Sequence, residues 1–345
     1  MSRTLVTGHT GFKGSWLVHR LAAEGRTVIG YSLPPTPDSH YVRAETHRYL
    51  DEEIFGDIRD AKLFNKVVEA VKPSEIIHLA AQAIVSVSTS DPFGTISTNV
   101  EGTNVVIATA VNHAVPRLLA VTSDKVYRDK GGRETSSEFS ELGGDDPYSS
   151  SKAAADIISQ SWAKTQSATL ISIVRGGNVI GGGDRGIDRL IPDFERAVSA
   201  GEPLTIRNPL QVRPWQHVLD CLDGYMKVLN ENATPHGEAW NVGPTIQDNG
   251  SVTVRDLLEI YAEVRGLKPE IRHTQSPIKE TSFLSIDTSK IAREMSWTPL
   301  FDAKEAISET AVWESKVGSG SATPTEATSE QLRKYLLRRS HPQLK

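Results

Sequence analysis

The sequence predicts an α/β protein built on a doubly wound parallel sheet with a smaller C-terminal lobe, and three observations carry that prediction. Short β-branched runs alternate with longer segments of helical spacing through residue 180; the runs are almost continuously apolar, as strands buried on both faces are; and the rhythm breaks near residue 181. The strand runs are "TLVTG", "RTVIGYS", "EIIHLA", "RLLAVTS" and "TLISIVR". Between them lie "SWLVHRLAAEG", "AKLFNKVVEAV", "FGTISTNVEGTNVVIATAVNH" and "SSSKAAADIISQSWAKT", with Gly25 placed to end the first helix. Repeated strand-helix-strand units place helices on both faces of one sheet. From 181 to about 315, segments punctuated by Gly and Pro such as "GGGDRGIDRLIPD" and "RNPLQVRPWQHVLD" predict a smaller lobe on the carboxyl side of that sheet. From 316 to 345, "KVGSGSATPTEATSEQ" is poor in large apolar residues and predicts a flexible linker, followed by a weak amphipathic helix "LRKYLLRR".

The chain has 345 residues, enough for a large two-lobed unit with a substantial core. A formal net charge of −5 argues against a nucleic-acid footprint, so an anionic ligand has to be met by a few placed arginines. The single cysteine, Cys221, cannot form an internal disulfide, and no charged-then-apolar leader opens the sequence; the expected compartment is the cytoplasm. No apolar run approaches the length of about 20 residues that spans a bilayer, and no metal is expected.

"VTGHTGFKGSWL" sets Gly8, Gly11 and Gly14 after a strand and at the mouth of a helix. The first glycine permits the tight turn, the second lets a pyrophosphate approach the backbone, and the third lets helix and strand pack closely, while the helix N-terminus attracts the phosphates. Residues 1–180 are therefore expected to form a Rossmann-type dinucleotide-binding domain, with Thr10, Phe12 and Lys13 also touching the cofactor. At the end of the second strand, where an acid usually holds the adenosine ribose, stands Ser32, which tolerates a 2′-phosphate and leaves NAD and NADP both open. Asp57 and Ile58 in "GDIRD" stand where an adenine amino group and ring would be met, although Asp57 is equally placed to cap the helix starting near Asp60. In "HLAAQ", Leu79 and the small Ala80 and Ala81 let a cofactor ribose lie against the backbone, and Gln82 would face the substrate. Asn99 is either a cofactor contact or a buried hydrogen-bonding bracket.

"DPYSSSKAAAD" places Tyr148 and Lys152 four residues apart, on one helical face, where a lysine ammonium favours the phenolate and makes Tyr148 a base for a substrate hydroxyl. "TSDKVY" at the preceding strand end adds Thr122 beside the cofactor and Ser123, Asp124 and Lys125 beside the substrate.

With "RGGNVIGGGD", "DRLIPD", "VRPWQHVLD" and "WNVGP", these stretches resemble the nucleotide-sugar branch of the extended short-chain dehydrogenases/reductases, and within it the CDP-glucose 4,6-dehydratase subfamily, from residue 4 to about 244. "FLSIDTSKI" and "MSWTP" extend a weaker similarity toward residue 299, and "RDKGGRETSSEFSE" is shorter than the family's counterpart. The resemblance implies a recycled NAD and a CDP-glucose substrate that is oxidised at C4, loses water across C5 and C6, and regains hydride at C6. Tyr148, helped by Lys152 and Ser123, would take the C4 hydroxyl proton, and Asp124, neutral, would protonate the leaving C6 hydroxyl. Lys125 stands where the wider dehydratases carry Glu. It is the C5 base if neutral beside cationic Lys152, or an electrostatic stabiliser of the enolate, or an exposed ion pair with Asp124. Asn178, Arg189, Arg207 and Arg213 are the phosphate-side candidates, and His217 is a substrate contact or a structural bracket. The family also implies a homodimer or a dimer of dimers. Another nucleotide-sugar dehydratase, a 4-epimerase and a catalytically silent NAD-binding scaffold are the alternatives.

Overall fold

Neighbouring residues of the first strand, Arg3–Thr7, are buried on opposite faces: Leu5 joins the cluster of Ile29, Phe64 and Ile107, and Val6 joins that of Trp16, Leu17 and Leu222. A strand covered on both sides has no polar face to alternate, which is why "TLVT" reads as an unbroken apolar run. The computed structural model describes residues 2–129, 131, 134–230, 236–245, 247–248, 252–274, 283–341 and 343.

Seven parallel strands form the central sheet, in the order Ala239–Val242, Leu170–Gly176, Arg117–Val121, Glu75–His78, Arg3–Thr7, Thr27–Ser32 and Glu52–Phe55. The chain order reverses between Arg3–Thr7 and Glu75–His78, and the register pairs Thr7 with His78 and with Tyr31, so the loops after these strands open on one edge. In sheets of this topology the crevice at such a reversal is where ligands sit. The five strand runs fall where expected, and Gly25 ends the helix Phe12–Ala23 with a φ of 73°. Two strands of the central sheet were not expected. Glu52–Phe55 is an edge strand whose charged residues hide its pairing, and Ala239–Val242 returns from the later part of the chain to pair with Leu170–Gly176 through four residues only.

On the carboxyl side, Val179–Ile180 pairs with Gln216–His217 and Leu204–Ile206 with Ile271–His273, both in parallel. The expectation of a flexible linker over 316–331 is corrected, whereas the helix expected in "LRKYLLRR" is present as part of a longer one. The helix Ala303–Gly318 runs through "KVG", and after a short turn a second helix spans Pro324–Ser340. The second helix opens on a capping box in which the Thr323 hydroxyl accepts from Glu326 N and the Glu326 carboxylate accepts from Thr323 N. It buries Ala327, Thr328, Gln331, Leu332 and Tyr335, and is tied down by Tyr335 Oη donating to Asp220 Oδ1 at 2.8 Å and by Arg339 against Asp223 at 2.7 Å. Mean apolar content misses such a helix, because few but correctly spaced side chains suffice when the capping is complete.

Candidate active site

The loops at the carboxyl ends of the strands enclose a cavity of about 920 Å³. Its first wall is the glycine turn. Gly8 has a φ of 77°, and a Cβ on it would stand 2.7 Å from Ala80 N; a Cβ on Gly14 would strike the Gly8 carbonyl. Backbone Gly11 N donates to Gly8 O at 3.1 Å, the helix begins at Phe12, and its first turn carries no acidic residue to compete with a phosphate. Gly8, Thr10, Gly11, Phe12, Lys13 and Gly14 all line the cavity, so the turn fits the anionic middle of a dinucleotide.

Ser32 lines it too, and its hydroxyl lies 2.8 Å from Thr10 Oγ1, which in turn donates to Leu33 O at 3.0 Å. Asp57 does not cap the following helix; Asp60 does, accepting from Leu63 N at 2.9 Å. The Asp57 carboxylate instead accepts from Arg59 Nε at 3.0 Å and Nη2 at 2.6 Å, and those bonds hold it below the usual carboxylate range. Arg59 is thus a cavity residue that sequence reasoning missed; an arginine two residues past the strand end is common on any surface and gave no signal. Ile58, Leu79, Ala80 and Ala81 line the cavity as expected. Residues 130, 132 and 133 of the "RDKGGRETSSEFSE" stretch lie outside the described residues.

Three expected contacts lie elsewhere. Gln82 does not face the cavity: its amide donates to Thr95 Oγ1 at 2.7 Å and to Ile84 O at 3.1 Å, folding the side chain onto its own loop. Asn99 is the bracket rather than a cofactor contact, accepting from Gln82 N at 2.8 Å and donating to Gln82 O and to Ser151 Oγ. His217 is fully buried between Trp16 and Phe301 and accepts from Leu219 N at 3.2 Å, and burial pushes its imidazole down to about 4. Asn178, Arg189, Arg207 and Arg213 do line the cavity, Arg213 being oriented by bonds to Val212 O and Gln211 Oε1, both at 2.9 Å.

At the end of Arg117–Val121 the chain turns through a short 3-10 segment, Asp124–Val126, capped by Ser123 Oγ accepting from Lys125 N at 3.2 Å. Ser123 Oγ also donates to Asp124 Oδ1 at 3.0 Å, and Ser123, Asp124 and Tyr148 all line the cavity. Burial raises the Asp124 carboxyl above the usual carboxylate range, against the charge of Lys125, the Ser123 bond, and the charges of Arg213 and Lys13. Asp124 Oδ2 has no hydrogen-bond partner among the described residues. Burial of this kind shifts an acid toward its proton-donating form.

Tyr148 opens the helix Pro147–Thr165, which Asp146 caps by accepting from Ser149 N at 2.9 Å with Pro147 in the first turn; "DPYSS" carries that start signal in the sequence. The Tyr–Lys expectation needs a correction. Lys152 Nζ donates to Val121 O at 2.9 Å, and burial raises the Tyr148 phenol, which Ser123 and Arg189 oppose. Burial lowers Lys152 to about 7, and the second lysine that bears on it is Lys13, not Lys125. The Lys13 ammonium passes the glycine turn and donates to Tyr225 Oη at 3.2 Å. Behind the Asp124–Val126 turn lies a further group the sequence did not reveal: Arg175 and Asp156, both buried, with Thr122 Oγ1 donating to Asp156 Oδ2 at 3.0 Å.

Residues 4–243 match the family described as the NAD dependent epimerase/dehydratase family. The chain belongs to this family. Among other members, the chain is 34% identical over 325 residues to the CDP-glucose 4,6-dehydratase of Salmonella typhimurium, with 90% of each chain covered. It is 26% identical to the dTDP-glucose 4,6-dehydratase of Haemophilus influenzae, over 91% of this chain and 98% of that one. Of solved structures, the dTDP-glucose 4,6-dehydratase of Streptomyces venezuelae with NAD bound superposes with a TM-score of 0.79 at 27% identity, covering 92% of this chain and 98% of that chain. In this epimerase/dehydratase family member, the glycine turn and the Ser-Asp-Lys turn therefore open on one cavity from adjoining sides of the strand reversal.

Proposed function

We propose that the chain is an NAD-dependent nucleotide-sugar 4,6-dehydratase, a hydro-lyase, with CDP-glucose as its substrate. The observation that supports this most is the buried acid Asp124, raised above its usual range, bonded by Ser123 and lining one cavity with Tyr148 and the dinucleotide turn. A site for simple alcohol oxidation or epimerisation needs the tyrosine, but has no use for a neutral carboxyl beside it.

NAD, held by Gly8, Gly11, Gly14, Ser32 and Asp57, supplies a hydride acceptor for C4 and a donor for C6. Tyr148 takes the C4 hydroxyl proton, with Lys152 adding positive charge from the Val121 carbonyl. The resulting ketone makes the C5 proton acidic, and Lys125, on the cavity wall, removes it. Asp124 gives its proton to the C6 hydroxyl, which leaves as water, and Lys125, whose protons exchange with solvent, returns a proton to C5. Arg213, Arg189, Arg207 and Asn178 meet the two phosphates, the guanidinium fork matching paired oxygens. In this division of labour residues 1–180 hold the cofactor and 181–315 most of the substrate, although Ala239–Val242 belongs to the central sheet.

Phe93, Ile96 and Ile157 are exposed on the helices Pro92–Ile96 and Pro147–Thr165, which pack on each other, and an apolar patch of this kind fits a two-fold contact with a second copy. No helix among the described residues is long and apolar enough to cross a membrane; a cytoplasmic location is part of the proposal. The test is incubation of the purified chain and NAD with CDP-, dTDP-, UDP- and GDP-glucose, followed by product mass. Loss of one water, fastest from CDP-glucose, is expected. Unchanged mass with an altered sugar would mean an epimerase, and no conversion a silent scaffold.

A further inference from the structure

The strand Ala239–Val242 carries a fully buried amide, Asn241, behind the cavity rather than on its wall. A carboxamide has two hydrogens and one oxygen to place, and Asn241 places all of them. Nδ2 donates to Ser136 O at 3.1 Å and to Asp287 O at 3.0 Å, while Oδ1 accepts from Tyr127 Oη at 2.6 Å. Tyr127 Oη accepts from Arg175 Nη1 at 3.0 Å, so its own hydrogen belongs to Asn241.

Two of these partners lead toward the phosphate-side residues. Ser136 N donates to Ser285 O at 3.0 Å and Asp287 N to Ser136 O at 2.8 Å, which joins the two segments. Leu284 N then donates to Val212 O, the carbonyl that Arg213 Nη1 also uses. Ser136, Leu284, Ser285 and Arg213 all line the cavity. The third partner leads to the chemistry, because Tyr127 ends the Asp124–Val126 turn. Hydrogen bonds and peptide links thus run without a break from Arg213 through Leu284, Ser136, Asn241 and Tyr127 to Asp124 and Lys125. Tyr148 and Lys152 stand outside this path, on the helix Pro147–Thr165, with Lys152 Nζ bonded to Val121 O.

Resting on the dehydratase reading, we propose that Asn241 is a positioning residue which, through Tyr127, makes the turn carrying Asp124 and Lys125 respond to the nucleotide end of the substrate. Binding energy gained far from the sugar then orders the acid and the base of the elimination step, and leaves oxidation at C4 untouched.

The experiment compares the NAD-loaded wild type with Tyr127→Phe and Asn241→Asp. The first variant deletes one hydroxyl and keeps the ring packed with Val126, Ala153 and Ile286. The second sets oxygen against the Ser136 and Asp287 carbonyls. CDP, which lacks the sugar, is the probe, and amide hydrogen exchange is followed in peptides covering 123–127 and 283–287. In wild type CDP slows exchange in both peptides, by about tenfold. In either variant it still slows exchange at 283–287 but no longer at 123–127. With CDP-glucose, stopped-flow absorbance then shows nicotinamide reduction at the wild-type rate, while rapid-quench product mass shows elimination slower by about tenfold or more.

CDP protection of 123–127 in a variant equal to that in wild type, or none in wild type, overturns the coupling. Oxidation and elimination slowed alike overturn it too, and leave Asn241 a structural bracket. If the wild-type chain binds no CDP and dehydrates no nucleotide-glucose, the functional reading falls and the coupling with it; dehydration of CDP-glucose without protection of 123–127 by CDP removes the coupling alone.

Discussion

Replacing Asp156 with alanine is expected to cost more than any other change behind the Asp124–Val126 turn. Arg175 Nε and Nη2 reach the two Asp156 oxygens at 2.8 and 2.7 Å, and the two side chains are 1% and 0% exposed. Burial pulls the guanidinium toward neutrality, and the Asp156 bonds and charge more than offset it. Without Asp156 a buried cation is left, among the described residues, with Tyr127 Oη at 3.0 Å and Glu138 O as acceptors. An unpaired buried charge costs about 3–5 kcal/mol, a large share of a total stability of about 5–15 kcal/mol. Removing both charges as Asp156→Leu with Arg175→Met deletes attraction and desolvation together, so the double variant recovers most of the loss. Guanidinium unfolding of wild type, both single variants and the double variant reads the cycle. A loss below about 1 kcal/mol in Asp156→Ala, or a double variant as unstable as the sum of the singles, refutes the reasoning. Turnover is not expected to recover with stability, because Thr122 and Tyr127 lose the group that fixes them behind Ser123 and Asp124.

Three further outcomes follow from the same contacts. Lys125→Ala should slow release of C5 deuterium to solvent by about 100-fold or more, and Lys125→Arg should stay equally slow because a guanidinium holds its proton; appreciable activity in the arginine variant would make Lys125 an electrostatic stabiliser instead. Lys152 is lowered from 10.5 to about 7 by burial and by Lys13, so between those values the unfolded chain binds the extra proton and stability rises with pH; the wild-type curve should converge on that of Lys152→Met in this window, and parallel unfolding curves would contradict it. Tyr335→Phe keeps the ring and deletes the bond to Asp220 Oδ1, which Leu300 N still occupies at 2.6 Å, so chemical denaturation should show a loss of about 1 kcal/mol, and none if the last helix is not held there.

The parts of the fold that the sequence disclosed are those whose residues report their own surroundings. Leu5 and Val6, buried on opposite faces, make a strand readable without any partner in view, and Gly8 and Gly14 stand where a Cβ would strike backbone. Ser123, Asp124, Lys125 and Tyr148 were legible as a group because the order of the motifs places them at one strand end and the next helix. What stayed hidden depended on pairing at a distance. Ala239–Val242 is a strand only because Leu170–Gly176 offers it an edge, and Pro324–Ser340 holds because Asp220 and Asp223, about a hundred positions earlier, accept from Tyr335 and Arg339. Gln82 and Asn99 looked like ligand contacts by position, but each amide found its partner in the other's neighbourhood and not in the cavity. Lys152 misled through direction: one face of a helix brings it near Tyr148, but Val121 O takes its hydrogen bond.

In the proposed reaction one hydride leaves C4 and returns to C6 of the same sugar while water is lost between them. Incubation of the chain and NAD with CDP-glucose carrying deuterium at C4, with the product read by mass and by proton resonance, tests it directly. The expected product has lost one water and keeps the deuterium in a new C6 methyl group. Product that retains the water, or that has lost the label to solvent, would contradict this hydride transfer.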